Sequence, residues 1–330
     1  MKYILLIGEM LIDFIPNPAG PDGTRSYQPH PGGAVANVAV ALARLGSSAR
    51  FIGKLSEDSF GRLLLRVLQE DGVDTRFVPK TDQDNTTLAL VTLQEDGQRA
   101  FTFYRQHTAD TLLEVSDLNE LAWQDVELCH TGSVLLATET ARSAMLAAME
   151  QARQRGLPVS FDVNARPALW TSEAELREVL AQVIPGVDLL KFSAEEAHYL
   201  DSTLTVPPDP TDEPLLQMLA HKLLTQGPSL IIITRGPLGA LLFTRQHSIE
   251  VAASTRQAID TTGAGDAFMG AILHWLMERD WTTTARLAAL SAQDLQELGA
   301  FANRAAGISC TRYGGIASLP YLREIERANF

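Results

Sequence analysis

Short apolar runs alternate along this chain with longer stretches in which apolar residues recur at helical spacing. The runs that predict strands are "YILLIG", "RFIGKL", "VELCHTG", "PVSFDV", "VDLLKF" and "SLIIITRG". This alternation indicates a mostly parallel sheet covered by helices on both faces, because the chain returns between parallel strands through a helix. The uninterrupted "LIIIT" is typical of a central strand buried on both sides. We therefore expect an α/β fold.

Two segments depart from this rhythm. Residues 12–31 are rich in Pro and Gly, and residues 86–104, "TTLALVTLQEDGQRAFTFY", have the pattern of a hairpin turned at "EDG". Both segments predict extended strands instead of helices. We interpret them as a small β lid inserted into a single domain that spans residues 1–330, since no internal repeat or interdomain linker stands out.

Composition and charge narrow the class of protein. The chain has 330 residues, of which 45% are hydrophobic, enough for a sizeable core and against a disordered or fibrous protein. Its 27 basic and 40 acidic residues give a net charge of −13, which argues against nucleic acid or an anionic membrane as a partner. The apolar run in "MKYILLIGEM" is too short for a signal peptide or a membrane span, so we expect a cytoplasmic protein. Cys129 and Cys310 are expected to be reduced thiols.

The first candidate for chemistry is "DTTGAGDAFMG", residues 260–270. Gly263, Ala264 and Gly265 let a ligand approach their backbone N–H groups, and the helix predicted after them favours an anion at its start. No GxxxxGK[ST] pattern occurs in the chain. Asp266 is either a helix cap or a general base that takes a proton while the N–H groups hold a transferring phosphoryl group. The three small residues favour the base.

A second candidate is "PGGAVANVAVALARLG", residues 31–46. Gly32 and Gly33 expose backbone at the start of a helix of small apolar residues, in which Asn37 is the only polar side chain of the first turns. A buried Asn needs hydrogen-bond partners. Either neighbouring backbone satisfies Asn37, or Asn37 binds sugar hydroxyls together with Asp13 of "GEMLIDF". The residue types leave both interpretations open.

Together, "PGGAVAN" near the beginning and "DTTGAGD" near the end resemble the two signatures of the ribokinase-like (PfkB-type) carbohydrate kinases. The similarity covers nearly the whole chain and is strongest to the fructokinases of that family, through "GEMLIDFIP", "FIGKLSEDSFG", "FYRQHTADTLL", "DVNARPALW", "KFSAEE" and "FANRAAGISCTRYGG". The resemblance implies a three-layer α/β/α fold with a mostly parallel sheet and a β-sheet lid. It also implies ATP and Mg²⁺ as cofactors and the conversion of D-fructose to fructose 6-phosphate.

Carried over residue by residue, the resemblance makes Asp266 the catalytic base and residues 263–265 the anion hole. The sugar-binding residues that it implies are Asp13, Gly32, Gly33, Asn37, Phe103, Arg105 and Arg166. Arg166 lies in "DVNAR" and would approach the substrate or the transferring phosphate, because a guanidinium pairs well with phosphate oxygens.

The resemblance also implies a nucleotide site. "TRGPLG", residues 234–239, would on its own be an ordinary strand-to-strand turn, but it is similar to the ATP loop of the family. The implied nucleotide-binding residues are Lys191, Ser193, Thr234, Gly236, Gly239 and Asn303, the last of them near adenine. In "KFSAEE", Ser193 stands where the family's Asn-x-x-Glu element has Asn. Glu196 is then the candidate for Mg²⁺, through water.

In relatives the region of the second signature also holds a monovalent cation, such as K⁺. The corresponding residues here are Asp260, Thr262, Ser309, Arg312 and Gly314. Because most of these ligands are backbone atoms, the sequence leaves the cation open.

Several alternatives remain at the level of sequence. A 2-keto-3-deoxygluconate kinase needs a cation for the carboxylate of its substrate, for which Arg105 is a candidate. An aminoimidazole riboside kinase is the second alternative, and a sugar- or nucleotide-binding regulator without chemistry is the third. An NAD-dependent oxidoreductase is disfavoured because the first strand is followed by a single glycine in "GEMLID". The open edges of a lid sheet further predict a homodimer formed through the lid.

Overall fold

The computed structural model describes residues 2–17, 24–93, 99–254 and 258–327. The strands are β1 (Tyr3–Ile7), β2 (Leu11–Pro16), β3 (Tyr27–Gly32), β4 (Ala49–Ile52), β5 (Leu55–Ser56), β6 (Lys80–Thr81), β7 (Leu88–Leu93), β8 (Arg99–Tyr104), β9 (Val126–Gly132), β10 (Val159–Asp162), β11 (Leu189–Ser193), β12 (Leu230–Thr234), β13 (Ala240–Phe243) and β14 (Ser248–Val251). The helices are α1 (Ala34–Arg44), α2 (Ser59–Glu70), α3 (Glu139–Gln154), α4 (Glu173–Val183), α5 (Ala197–Leu200), α6 (Glu213–Leu224), α7 (Ala264–Glu278), α8 (Thr284–Ala288), α9 (Ala292–Ser309) and α10 (Leu322–Arg327).

Eight of these strands form one sheet in the order β14-β13-β12-β11-β10-β9-β1-β4. The strands from β4 to β12 in this order are parallel, and β13 and β14 continue the sheet antiparallel. All six runs that predicted strands coincide with members of this sheet, so the expected α/β fold is confirmed. The carboxyl ends of the parallel strands meet at one edge, where open α/β sheets bind their ligands.

Helices cover both faces of this sheet because its strands are apolar on both sides. Ile4 and Leu6 of β1 point into a core shared with α1, α7 and α9, whereas Leu5 and Ile7 point into a second core with α3, α4 and α6. Four of the five residues of β1 are buried, and Tyr3 is half-buried. This is the pattern expected of a three-layer arrangement. Among the described residues, no helix is long and apolar enough to cross a membrane.

The remaining long strands form a separate sheet of four in the order β3-β2-β7-β8, which we call the lid. β2 pairs antiparallel with β3 and parallel with β7, and β7 pairs antiparallel with β8. These strands coincide, to within one residue, with the two segments that the sequence assigned to a lid. The predicted turn at "EDG" and residues 18–23 lie outside the described residues.

The helices differ in how they begin. α2 begins after Asp58 and α9 after Ser291, and each of these side chains accepts a hydrogen bond from an N–H in the first turn. α1 and α7 begin after Gly33 and Gly263, whose φ values of 113° and 79° favour glycine. Neither glycine has a side chain that could cap its helix. The two helices with glycine starts are the two that border the site.

Candidate active site

A crevice of about 830 Å³ lies between the lid and the carboxyl edge of the large sheet. This volume is in the range of sites for small molecules. Residues from β2, α1, β8, the segment after β10 and the start of α7 line it. The two signatures, more than two hundred residues apart in the chain, therefore meet at one place.

Asp266 lies in the first turn of α7 and lines the crevice. One of its oxygens, Oδ2, accepts a hydrogen bond from Nδ2 of Asn37 at 2.7 Å. Burial raises the pKa of Asp266 to about 6, while the Asn37 bond and the charges of Lys191 and Arg166 oppose that rise. A carboxylate with a pKa close to neutrality suits a general base.

The capping interpretation of Asp266 does not fit the start of α7. No side-chain capping bond is found there, and the Asp266 carboxylate turns to Asn37 instead. Gly263 is half-buried and Gly265 is exposed, and both line the crevice, whereas the half-buried Ala264 does not. The N–H of Ala264 donates to the carbonyl of Thr261 at 3.2 Å, so it is already engaged in a turn.

The sugar-binding residues predicted from the first signature surround the same carboxylate. Asn37 is 6% exposed, and its Oδ1 has no hydrogen-bond partner among the described residues. Asp13 lies on β2 at the crevice, and Gly32 makes room for it, because a Cβ at Gly32 would lie 2.4 Å from Oδ2 of Asp13. Gly33 lines the crevice, and a Cβ there would lie 2.5 Å from the carbonyl oxygen of Glu9. Gly32 thus makes room for the Asp13 side chain without lining the crevice itself. Asp13, Gly33 and Asn37 line the crevice.

From the lid, Phe103 reaches the crevice as predicted, but Arg105 does not line it. Phe103 stacks on Phe101 with ring centroids 6.1 Å apart, and both rings line the crevice. Arg105 is buried below the lid, where its Nε donates to Oδ2 of Asp110 at 2.7 Å and its side chain is only 5% exposed. Asp110 also accepts from the hydroxyl of Thr87 at 2.5 Å. Arg105 is therefore neutralised by a partner at the lid's base.

Arg166 lines the crevice opposite the lid, as the sequence predicted. Its Nη1 donates to the carbonyls of Asn164 and Ala165 at 3.3 and 2.9 Å, and its charge lowers the pKa of Asp266. Asn164 also lines the crevice with a φ of 34°, which is uncommon for a residue other than glycine and frequent at functional sites.

Of the predicted nucleotide-binding residues, Lys191 lies beside the proposed anion hole. Its Nζ donates to Oδ2 of Asp162 at 2.7 Å, and a Cβ at Gly265 would lie 3.5 Å from this Nζ. The Lys191 ammonium is thus beneath the start of α7.

The other predicted nucleotide-binding residues, which we call the nucleotide side, are Ser193, the loop from Thr234 to Gly239, and Asn303. Ser193 and Thr234 are neighbours on β11 and β12. A Cβ at Gly239 would lie 2.1 Å from the carbonyl oxygen of Val251, and Nδ2 of Asn303 donates to that same carbonyl at 3.1 Å. The structure therefore links Ser193 to Thr234 and Gly239 to Asn303 through neighbouring strands, and it engages the amide of Asn303 within the protein.

Glu196 joins two strand ends. One carboxylate oxygen accepts from the N–H of Ala165 at 2.5 Å and the other from the N–H of Ser193 at 2.8 Å. Burial raises the pKa of Glu196, and the charge of Asp162 adds to this rise. With both oxygens engaged, a metal ion would reach Glu196 through water. No group of three or more His, Cys, Asp or Glu residues in the described ranges is arranged to hold a metal ion.

The residues predicted around a monovalent cation lie beside Gly263. The buried Asp260 accepts from the N–H groups of Thr262 and Gly314, both at 2.9 Å. Ser309 shares a hydrogen bond of 2.7 Å with Ser318, whereas the Arg312 side chain turns away to Glu324. The residues are brought together, and their side-chain contacts brace the loop that precedes α7.

Sequence reasoning missed Glu9, which is 3% exposed and lines the crevice. Its Oε1 accepts from the N–H of Ala34 at 2.7 Å, so it caps α1 from the segment between β1 and β2. Burial raises the pKa of Glu9 to about 7. The sequence feature that could have identified Glu9 is its position two residues after the buried strand β1, because a charged residue is seldom buried. Asp162, Phe101 and Asn164 were missed as well.

The whole arrangement has close counterparts among known proteins. The model of the pfkB family of carbohydrate kinases matches residues 1–322. This chain belongs to that family. Fructokinase-1 of Oryza sativa subsp. japonica is 38% identical over 324 residues, which cover 97% of this chain and 95% of that protein.

Solved structures agree with this assignment to the pfkB family. A fructokinase from Xylella fastidiosa with bound ATP superposes with a TM-score of 0.87 at 31% identity, covering 98% of this chain and 97% of the other. A double mutant of the fructokinase from Vibrio cholerae O395, with fructose, ADP and potassium ion bound, gives a TM-score of 0.84 at 31% identity over 99% of this chain and 97% of the other. The family and fold expected from the two signatures are thereby confirmed.

Proposed function

We propose that this kinase transfers the γ-phosphoryl group of ATP to D-fructose and forms fructose 6-phosphate. The observation that carries the proposal is Asp266, a carboxylate with a raised pKa that faces the crevice beside the uncapped start of α7. The similarity to fructokinases over nearly the whole chain supports the choice of sugar.

In this mechanism the hydroxyl group at C6 of fructose approaches Asp266. The carboxylate accepts the hydroxyl proton while the sugar oxygen forms a bond to the γ-phosphorus, and the bond from that phosphorus to the bridging oxygen of ADP breaks. The N–H groups of Gly263 and Gly265 and the guanidinium of Arg166 stabilise the transferring charge, while the N–H of Ala264 stays in its turn with Thr261. Asn37 orients the base through its Nδ2 and offers its unpartnered Oδ1 to a sugar hydroxyl.

Mg²⁺ bound with ATP would neutralise phosphate charge, which a chain of net charge −13 does not do unaided. Glu196 is its candidate contact, through water, because both Glu196 oxygens already accept backbone N–H groups. The loop of Asp260 and Gly314 is the proposed place for a monovalent cation such as K⁺, in line with the potassium ion of the Vibrio cholerae fructokinase.

Charge favours fructose over 2-keto-3-deoxygluconate. The keto-acid needs a cation for its carboxylate, and the lid's candidate, Arg105, is buried and paired with Asp110. The crevice presents Asp13 and Glu9, and we assign Arg166, which also lines it, to the transferring phosphoryl group. Asp13 and Glu9 suit a neutral ligand with many hydroxyl donors, and the Asp13 carboxylate opposes an anionic one.

The lid is the proposed homodimer interface. Tyr104 at the end of β8 is 60% exposed on the lid face opposite Phe103, and strand edges are open to pairing. We further place the enzyme in the cytoplasm, on its acidic composition and its two free thiols, Cys129 and Cys310.

The test is ADP release with Mg²⁺ and limiting D-fructose, D-glucose, D-ribose, 2-keto-3-deoxygluconate or aminoimidazole riboside. We expect a markedly higher kcat/KM for fructose, because a site built on hydroxyl hydrogen bonds penalises analogues that leave its polar groups unpaired. A preference for the keto-acid or the riboside would replace the substrate and keep the kinase. Absence of turnover with every sugar, despite measurable ATP binding, would favour a regulator without chemistry.

A further inference from the structure

Lys191 and Asp162 form a buried ion pair at the carboxyl ends of β11 and β10. They face each other in the strand register, Nζ and Oδ2 are 2.7 Å apart, and each side chain is 6% exposed. Replacing such a pair by well-packed apolar residues is often neutral or stabilising. Its place in the fold, directly below the crevice, suggests a role other than stability.

The pair lies against the start of α7. A Cβ at Gly265 would lie 3.5 Å from Nζ of Lys191, so the ammonium is packed below the proposed anion hole. Burial opposes the charge on Lys191, but Asp162, Glu196 and Asp266 outweigh this and raise the pKa of the lysine. Lys191 is therefore a fixed cation at neutral pH.

The groups that act on Asp266 come from α1, β11, β10 and the segment after β10. Asn37 of α1 donates a hydrogen bond, Lys191 of β11 and Arg166 contribute positive charge, and Asp162 of β10 contributes negative charge. Oδ2 of Asp162 binds the ammonium, and its Oδ1 has no hydrogen-bond partner among the described residues. Asp162 is thus the direct ligand of the one lysine in this group.

We propose that Lys191 and Asp162 are positioning residues for Asp266: Asp162 anchors the ammonium beneath the anion hole, where it favours the negative charge of Asp266 without pairing with it. The inference rests on the proposed role of Asp266 as base. Lys191 keeps the base ionised, and Asp162 keeps the lysine from occupying the oxygen that must receive the hydroxyl proton. The two residues therefore act on Asp266 in opposite directions.

Opposite effects give the test a signature that a structural role lacks. In Lys191→Met, a nearby cation is lost, so the acidic limb of the pH profile of kcat/KM should move up by about one pH unit. In Asp162→Asn, the lysine keeps an amide oxygen as acceptor but loses its anionic partner, so the limb should move down by a similar amount and kcat should fall. The matched control is Lys222→Met, which removes the 2.8 Å ion pair between Lys222 and the buried Asp201. Neither of these two residues lines the crevice.

Limbs that stay at the wild-type pH, or move in the same direction in both variants, would overturn the proposal. If Lys191→Met does not fold, Asp162→Asn decides alone, and an unchanged or raised limb rejects the idea. A second measurement is independent of turnover: the Asp266 carboxyl is titrated by ¹³C NMR in the ligand-free protein, with its signal assigned by Asp266→Asn. If wild type phosphorylates no sugar, the proposed function fails, while this titration still tests the pair through the same opposite shifts.

Discussion

Asn37 and Asn303 are both buried asparagines on helices, and they serve the two sides of the crevice in different ways. Asn37 directs its Nδ2 at the Asp266 carboxylate and leaves Oδ1 unpartnered among the described residues. Asn303 donates its Nδ2 to the carbonyls of Val251 and Ala252, at 3.1 and 3.0 Å. Asn37 therefore retains an acceptor oxygen for a ligand, whereas both hydrogens of the Asn303 amide are used in bonds within the protein.

The same contrast extends to the neighbours of each asparagine. On the sugar side Asp13, Glu9 and Arg166 bring charged groups to the crevice surface. On the nucleotide side Glu196 accepts two backbone N–H groups, and Gly239 lets two strands approach. We therefore expect side chains to recognise the sugar, and backbone groups and shape to contribute most on the nucleotide side.

The largest effect is expected at Asp266. Asp266→Asn keeps an oxygen that can accept from Asn37 but cannot take the hydroxyl proton, so kcat should fall by roughly 10² to 10⁴. Since burial raises the folded-state pKa of Asp266, the stability it confers is present below its ordinary pKa and is lost as the pH rises through about 6. The variant should therefore melt at an equal or higher temperature at pH 7.5, which separates lost catalysis from lost fold. A variant with wild-type turnover would remove Asp266 from the mechanism.

A second prediction compares the two asparagines directly. Asn37→Ala removes a ligand for the sugar and should raise the KM for fructose by roughly tenfold, the equivalent of about one hydrogen bond, with little change in the KM for ATP. Asn303→Ala should lower the free energy of unfolding by about 1 to 3 kcal/mol, because two carbonyls lose their donor, and should leave the KM for fructose unchanged. Steady-state kinetics and urea unfolding of both variants measure this. If Asn303→Ala changed only the KM for ATP, the contrast would be wrong.

The sequence predicted the large sheet, the lid and the meeting of both signatures because these depend on periodicity and on glycines with fixed backbone demands. Asp266, Asn37 and Phe103 line the crevice, and their roles there stay predictions. The sequence assigned Arg105 to the sugar site as well; that role also stays a prediction, and the sequence carries no sign of its buried partner Asp110. Glu9 and Asp162 could not be found either, because their importance arises from contacts with residues far along the chain, Ala34 and Lys191.

The third prediction uses pH to sharpen the sugar side. Below a pKa of about 6, Asp266 is protonated and cannot accept a proton, so kcat/KM for fructose should fall about tenfold for each further pH unit. Glu9 also lies at the crevice with a pKa of about 7, and it is the competing explanation for such a limb. Glu9→Gln retains an oxygen for the N–H of Ala34 and should keep the limb near pH 6. Loss of the limb in that variant would assign it to Glu9.

The smallest effect is expected on the nucleotide side, at Gly236. Its φ is 54°, it is exposed, and no atom lies within 4 Å of the place a Cβ would occupy, so alanine meets backbone strain but no clash. The strain should cost about 1 to 2 kcal/mol of stability. If ATP approaches the backbone of this loop, Gly236→Ala should also raise the KM for ATP by roughly threefold, since a ligand would lose less than one hydrogen bond, and leave the KM for fructose alone.

Gly239→Ala is the contrasting variant, because its Cβ would collide with the carbonyl oxygen of Val251 at 2.1 Å and destabilise the fold itself. Thermal melts with kinetics for both sugar and nucleotide distinguish them. An unchanged KM for ATP in a folded Gly236→Ala protein would show that ATP does not use this part of the loop, and would confine backbone recognition to the start of α7.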